Sequence, residues 1–254
     1  MRIAPALLAL LLAFVAGVPQ ARTLEQIRAS GGRILLATEG KFPPFNVFRG
    51  AQLTGFEVEL GNLVVARMGL QAEWKATEFN SLLPGLAQDR WDIAVASHSI
   101  TPERERIVSF AAPHYCSGNV IVAADHSIRS GADLAGKVVA VQKGTTYQQQ
   151  VERIPGVRAI HTFPQDVAAR SALLTGKADA WVTDRFSALE LVRRMPNSSL
   201  HIGDYLVVDR LAAAVAHDNL ALRDAWNQAL GQVLADGSYA ALSRRYFGED
   251  VRCR

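Results

Sequence analysis

Little in this chain supports metal or covalent chemistry. It has two cysteines and six scattered histidines in 254 residues. His114 and Cys116 are near neighbours, but two donors do not make a zinc site. There is no G-x-S-x-G elbow, no P-loop and no H-E-x-x-H pair, so the common hydrolase, nucleotide-hydrolase and zinc-protease patterns are missing. Low-complexity linkers and short-period repeats are missing too, which argues against a flexible string of domains or a solenoid. Charge of one sign is also scarce: 27 Lys and Arg face 24 Asp and Glu, for a net +3. The adjacent basic pairs are Arg193-Arg194 and Arg244-Arg245, with acids interspersed elsewhere. Nucleic-acid binding, which wants a clustered basic face with exposed aromatics, is therefore not expected.

What is present is an ordinary globular composition, 49% hydrophobic and 20% charged, long enough for two modest domains or one large one. Met1 and Arg2 precede an apolar run from Ile3 to Val18, broken by Pro5 and Gly17, with Pro19, Gln20 and Ala21 behind it. This reads as a secretory signal peptide over residues 1–21, too short and too lightly flanked to be a first choice for a membrane span. Cleavage after Ala21 is expected, with Gly17 the alternative. No Cys lies near the end of the run, so lipid attachment there is not expected. Removal takes away Arg2 and no acid, lowering the net charge from +3 to +2. Export to a periplasm-like compartment follows. Cys116 and Cys253 would then meet oxidising conditions that favour a bridge, the alternative being two buried thiols.

Periodicity divides the rest into alternating helices and strands. Thr23 to Ser30 has helical spacing and stops at Gly31-Gly32. Arg33 to Thr38 is a strand, and Lys41 to Phe45, holding Pro43-Pro44, is expected to be irregular. Phe56 to Met68 is helical, Leu70 to Trp74 extended, Ser81 to Gln88 helical and Trp91 to Ala96 a short strand. A second progression follows: a short helix ending at Gly136, a strand Lys137 to Val141, a turn at Gly144-Thr145-Thr146, helices Tyr147 to Arg153 and Asp166 to Thr175, and a strand Ala178 to Thr183. A strand Leu211 to Ala216, a helix Asn219 to Ala235 and a final helix to Phe247 close the chain. Alternation of this kind predicts two doubly wound α/β units with ligand loops at the carboxyl ends of strands and a site in the cleft between them.

The stretch Ser97-His98-Ser99-Ile100-Thr101-Pro102-Glu103-Arg104 brings hydroxyls, a helix start and a guanidinium together. Thr101 suits an N-cap and Pro102 the first helical position. A guanidinium matches a carboxylate bidentately, which a lysine cannot do. The plainer alternative is a capped helix with a solvated arginine.

Taken together, these features resemble the bacterial extracellular solute-binding proteins of family 3, periplasmic receptors that pass polar amino acids to ABC importers. The resemblance spans residues 33–250. It rests on Thr38-Glu39 through Pro44-Phe45, Gly55-Phe56-Glu57, Phe79 to Leu86, the Ser97–Arg104 run, Gln142 to Thr146, Gly176-Lys177-Ala178-Asp179 leading to Thr183-Asp184, and the tail from Asp236 to Phe247. It implies a type II, two-lobe Venus-flytrap of the periplasmic-binding-protein class, each lobe a doubly wound sheet, joined by hinge strands near Cys116–Asn119 and Asp204–Arg210. Lobe 1 would hold 22–116 and 208–254, and lobe 2 would hold 117–207. By the same resemblance Arg104 takes the ligand carboxylate with Ser99 and Thr146, Asp184 takes the ammonium, and backbone groups near Ser97 complete that end. Ala96 departs from basic-amino-acid receptors that carry a serine there, so one hydrogen bond is expected to be missing. Phe42 and Phe79 would sandwich the side chain, and Glu39 stands where many relatives have aspartate. Two rings and a carboxylate suit a cationic side chain, which favours arginine, lysine, ornithine or histidine over glutamine. For each ring, core packing is the alternative. Tyr147 lines the second wall or covers its helix, and His98 is either a pH-sensitive group or a packing residue. A bridge between Cys116 and Cys253 would tie the tail to a crossover.

The implied partners are an amino-acid ligand and an inner-membrane ABC permease. No cofactor, metal or catalytic residue is expected, and with both units in one chain nothing demands a second copy, so a monomer is expected. Two rivals stay open. One is an enzyme of the cyclohexadienyl dehydratase kind on the same fold, which needs an acid to protonate a leaving hydroxyl. The other is a periplasmic sensory protein that reports the ligand through a partner.

Overall fold

The computed structural model describes residues 21–253. All of the expected leader except Ala21 lies outside the described residues. Thr23 caps α1 (Leu24–Ala29) in a capping box with Gln26, and Gly31 and Gly32 end it at positive φ. A central strand β1 (Arg33–Thr38) follows. The chain then makes a small antiparallel sheet of β2 (Lys41–Phe42), β3 (Asn46–Arg49) and β4 (Gln52–Thr54). The expected irregular stretch is thus irregular only from Pro43. A proline lacks the N–H that a strand ladder needs, so pairing with Asn46 and Val47 stops at Phe42. Helix α2 (Phe56–Arg67), strand β5 (Gln71–Ala76), helix α3 (Phe79–Ala87) and strand β6 (Ile93–Ser99) complete this first winding. Strand β6 runs three residues beyond its expected end and is buried throughout. Ser97 and Ser99 therefore stand on a strand rather than in the approach to a helix.

After the single turn of α4 (Pro102–Glu105) come β7 (Val108–Phe110) and β8 (Tyr115–Ala123). The second winding holds β9 (Val138–Gln142), α5 (Thr146–Glu152), β10 (Ala159–Phe163), α6 (Asp166–Leu174), β11 (Ala180–Asp184) and α7 (Arg185–Arg194). The long β12 (His201–Ala216), α8 (Leu220–Ala235) and α9 (Ser238–Phe247) return the chain to the first winding.

The main sheet runs β10-β9-β11-β8-β12-β6-β1-β5, with β7 also on β12. Two separate sheets were expected. Instead the two windings share one sheet, because both crossovers are themselves strands and pair with each other: β12 lies antiparallel to β8 from His201↔Ala123 to Leu211↔Tyr115. The strand expected at Leu211–Ala216 and the crossover expected before it are one 16-residue strand. Its last residues leave β8 and pair with β6 and β7. At the seam β8 and β12 approach closely. A Cβ on Gly118 would lie 2.3 Å from the Val207 carbonyl oxygen, so only glycine fits.

One core runs through both windings, from Leu36 and Val64 to Val139 and Val182, and further clusters flank it. Leu36, Val64, Ile93, Trp226 and Tyr239 belong to the part of it that α2, α8 and α9 cover. Val122, Ala140, Ala169, Trp181 and Leu191 form a flanking cluster under α6 and α7. Trp181 is fully enclosed. Burial of about 200 Å² of aromatic surface at about 25 cal/mol per Å² contributes roughly 5 kcal/mol before ordering costs. Cys116 and Cys253 form a disulfide with Cα atoms 4.9 Å apart. It fastens the tail to the start of β8, where Cys116 N–H also donates to the Val251 carbonyl at 3.0 Å.

Candidate functional site

The cleft lies where the strand ends of the two windings face each other. It is nearly closed, with about 10 Å³ of free space, and it is lined by Glu39, Phe42, Phe79, Ala96, Ser97, Ser99 and Arg104 from the first winding and by Gln142, Thr145, Thr146 and Tyr147 from the second. That is about the room one water molecule needs.

The wall on β6 owes its shape to a group the sequence does not advertise. Ser97 has φ +54°, a left-handed conformation unusual for a residue with a side chain. Glu57, fully buried near the start of α2, holds it there: Ser97 N–H donates to Oε1 at 2.7 Å and Ser97 Oγ to Oε2 at 2.9 Å. The same carboxylate accepts from Asn46 Nδ2 at 3.2 Å and meets His114 Nε2 at 2.9 Å. A buried carboxylate with this many partners is a fixed part of the frame.

Arg104 follows the turn as expected. Thr101 caps α4, accepting from Arg104 N–H at 3.3 Å, with Pro102 at the first position. The guanidinium is folded back across the cleft. Nη1 donates to the Ser99 carbonyl at 2.9 Å and Nη2 to the Gly144 carbonyl of the facing winding at 3.2 Å. It also stands 5.7 Å from the Phe79 ring centroid. Burial pulls its pKa down, and Tyr147, Asp209 and Glu103 oppose that pull.

Glu39 bounds another side. Its Oε1 accepts from Gln142 Nε2 at 2.8 Å, a contact between the windings. Burial first, and the neighbouring Asp166 charge second, push its pKa up to about 8. Asp166 is buried at the start of α6, accepts from Trp181 Nε1 and Thr183 Oγ1 at 3.0 Å each, and is raised to about 7 by burial. Asp184, the last residue of β11 and the N-cap of α7, accepts from Phe186 N–H at 2.7 Å and is likewise raised by burial to about 7.

Of the residues singled out from sequence, Glu39, Phe42, Phe79, Ser97, Ser99, Arg104 and Thr146 line the cleft and Asp184 does not. Asp184 stands behind the wall, close enough for its charge to raise the Tyr115 and Tyr147 hydroxyl pKa values further. Phe42 stacks on Phe45 at 5.2 Å. Phe79 stacks on His98 at 4.6 Å. His98 is buried with neither ring nitrogen partnered. Burial, and then the Arg104 charge, hold its pKa well below 6.5, so the ring is neutral packing beneath Phe79. Glu57, Gln142, Asp166 and Asp209 were missed. Glu57 and Asp166 carry the one available signal, an acid at the start of a helix next to an apolar run. That signal is common and reads equally well as helix-dipole pairing.

The family of bacterial extracellular solute-binding proteins, family 3, matches residues 34–249, and the chain belongs to it. The L-cystine-binding protein TcyJ of Escherichia coli K12 is 31% identical over 226 residues, covering 87% of this chain and 84% of that protein. An ancestral arginine-binding protein bound to arginine superposes with a TM-score of 0.81 at 31% identity, covering 85% of this chain and 99% of the other. The ancestral amino acid-binding protein AncCDT-1, a precursor of cyclohexadienyl dehydratase, gives 0.81 at 28% identity over 88% and 98%. The two-lobe type II architecture is thus that of amino-acid-binding proteins of ABC importers.

Proposed function

We propose that this protein captures a basic L-amino acid in the cleft and delivers it to an ABC permease in the inner membrane. It would act as a monomer exported by its signal peptide. The observation that carries this reading is the charge layout of the cleft: Arg104 is the one cation among its lining residues, and a buried Glu39 with no cationic partner faces it. An amino-acid zwitterion needs a fixed cation and a fixed anion in a desolvated pocket. Arg104, Ser99 and Thr146 would hold the carboxylate. Backbone groups near Ser97 would hold the ammonium, with Asp184 answering its charge from behind the wall, and Glu39, Phe42 and Phe79 would hold the cationic side chain. The far ends of cystine carry a second carboxylate as well as an ammonium, which an acidic lining opposes. Lobes of 22–116 with 208–254, and of 117–207, would hinge where β8 and β12 cross.

A second reading, a dehydratase, draws support from one observation. Glu39 keeps its proton at neutral pH and stands in the cleft, as a general acid would. The test is thermal shift of the purified mature protein against the twenty amino acids, ornithine, citrulline, cystine and prephenate. A ligand at a hundred times its Kd adds about 2.7 kcal/mol of apparent stability. A shift with arginine, lysine, ornithine or histidine supports the proposal. A shift with cystine or glutamine alone overturns the basic side chain, and turnover of prephenate overturns the transport role.

A further inference from the structure

One carboxylate at the cleft has no part in the reading above. Asp209 lies on β12 beside the seam, opposite Ser117 of β8. Its Oδ2 accepts from Ser99 Oγ at 3.0 Å and from Thr146 Oγ1 at 3.1 Å. The two hydroxyl oxygens are themselves 3.2 Å apart, so the three oxygens form a near-equilateral triangle. A pair of hydroxyls alone shares one hydrogen bond, with the second proton left to find another acceptor. A carboxylate oxygen at the apex takes both protons, and such charge-assisted bonds are roughly twice as strong as neutral ones.

The members of this triangle belong to different bodies. Ser99 is on β6, whose Ser99 pairs with Leu211 of β12 two residues beyond Asp209. That bond therefore travels with the strand. Thr146 opens α5, anchored on the second winding through β9 and β10. Separation of the windings breaks only what Thr146 makes. The Arg104–Gly144 and Glu39–Gln142 bonds also cross the cleft, but each uses a charged group that a bound ligand would claim, whereas the charged member of the triangle is left to the protein. Asp209 is not among the cleft-lining residues.

We propose that Asp209 is a positioning residue, a clip on the hinge strand that holds Thr146 against Ser99 and keeps part of the ligand-free population closed. The clip thereby sets how closed the empty protein is before any ligand arrives. In the empty protein both hydroxyl protons go to Asp209, so a ligand carboxylate held by Ser99 and Thr146 takes them over from it.

The test needs no ligand, so its outcome is independent of which amino acid the protein binds. The mature protein, stripped of any co-purified ligand by unfolding in guanidinium with the disulfide intact and then refolded, is measured by small-angle X-ray scattering. Asp209→Ala is expected to raise the radius of gyration, Asp209→Asn to leave it near wild type because the amide oxygen still accepts both protons. Thr146→Ala removes the same bond from the other side and should open the protein to the same degree, with the double variant no more open than either single one. The Thr146 variant keeps the question decidable if Asp209→Ala does not fold. An unchanged radius in Asp209→Ala or Thr146→Ala, an Asn variant as open as the Ala variant, or additive effects of the pair would overturn the clip.

Discussion

The two ends of the cleft are built on opposite terms. At the β6 end the polar groups that face the cleft have protein partners: Arg104 bridges the carbonyls of Ser99 and Gly144, and Ser97 is pinned by Glu57. At the Glu39 end three carboxyls, Glu39, Asp166 and Asp184, are buried with no cation bonded to any of them, and burial keeps all three raised to about 7 or 8. A satisfied cation holds its position and is exchanged for a ligand at little net gain. A buried acid without a counter-cation is held toward its neutral form, and an incoming ammonium or guanidinium supplies the charge that lets it ionise. Under the proposed function, position would be set at one end and selectivity at the other. Glu39 belongs to the selective end through its environment rather than through its residue type.

The largest test of this division is Arg104→Ala. Leaving the ligand carboxylate buried and unpaired should cost about 2 to 5 kcal/mol for every amino acid alike, from about thirtyfold to several thousandfold in Kd. Calorimetric titration with arginine and with a neutral amino acid checks it, and a loss confined to one of them would break the comparison. Glu39→Gln should act at the other end only. A hydrogen bond to a charged group is worth about 1.5 to 3 kcal/mol, so affinity for arginine or lysine should fall by about tenfold or more while neutral amino acids bind as before. An equal loss for both classes would place Glu39 in the frame and not in recognition.

How far this was legible in the sequence depends on the range of the interaction. Caps, periodic helices and buried strands come from neighbours in the chain, which is why α1, α2, α8 and the Thr101–Pro102 start fell where expected. The merging of two sheets through β8 and β12 did not, because strand pairing across nearly a hundred residues leaves no local mark. The hairpin of β3 and β4 escaped for a different reason: Phe48 is largely exposed there and breaks the alternation. At the site, most residues that line the cleft were legible through family resemblance, Gln142 and Thr145 excepted, and Asp184 fell behind the wall. The residues that hold those in place, Glu57 under Ser97 and Asp209 beside Thr146, were not, since an acid's burial cannot be read from its letter.

Protonation sharpens the comparison further. The Glu39 pKa is about 8 in the folded chain against an ordinary 4.5, so between those values the folded state holds a proton that the unfolded state has lost. Stability of the empty protein should then fall as pH rises from about 4.5 to 8, with Asp166 and Asp184 adding their share between 3.8 and about 7. A cationic ligand needs the ionised carboxylate. Its affinity should therefore rise with pH over the same window, by up to about tenfold per unit for each coupled group, with protons released on binding. Melting curves of the empty protein and titrations in buffers of differing ionisation enthalpy check both signs. Glu39→Gln should remove the part between pH 7 and 8, and a flat profile in the unmodified protein would sink the account of the acidic end.

The smallest effect belongs to Phe79, the ring that joins the two ends. It carries Arg104 at 5.7 Å on one side and the neutral His98 at 4.6 Å on the other. An arginine–ring contact contributes about 0.5 to 2 kcal/mol, so Phe79→Leu should weaken amino-acid binding by between about twofold and thirtyfold. His98 makes no hydrogen bond to lose. His98→Phe, which keeps a ring under Phe79, should leave both affinity and the pH profile unchanged. A profile that moved with His98→Phe would transfer the pH response from the acidic carboxyls to the imidazole, and the two ends of the cleft would no longer divide the work as described.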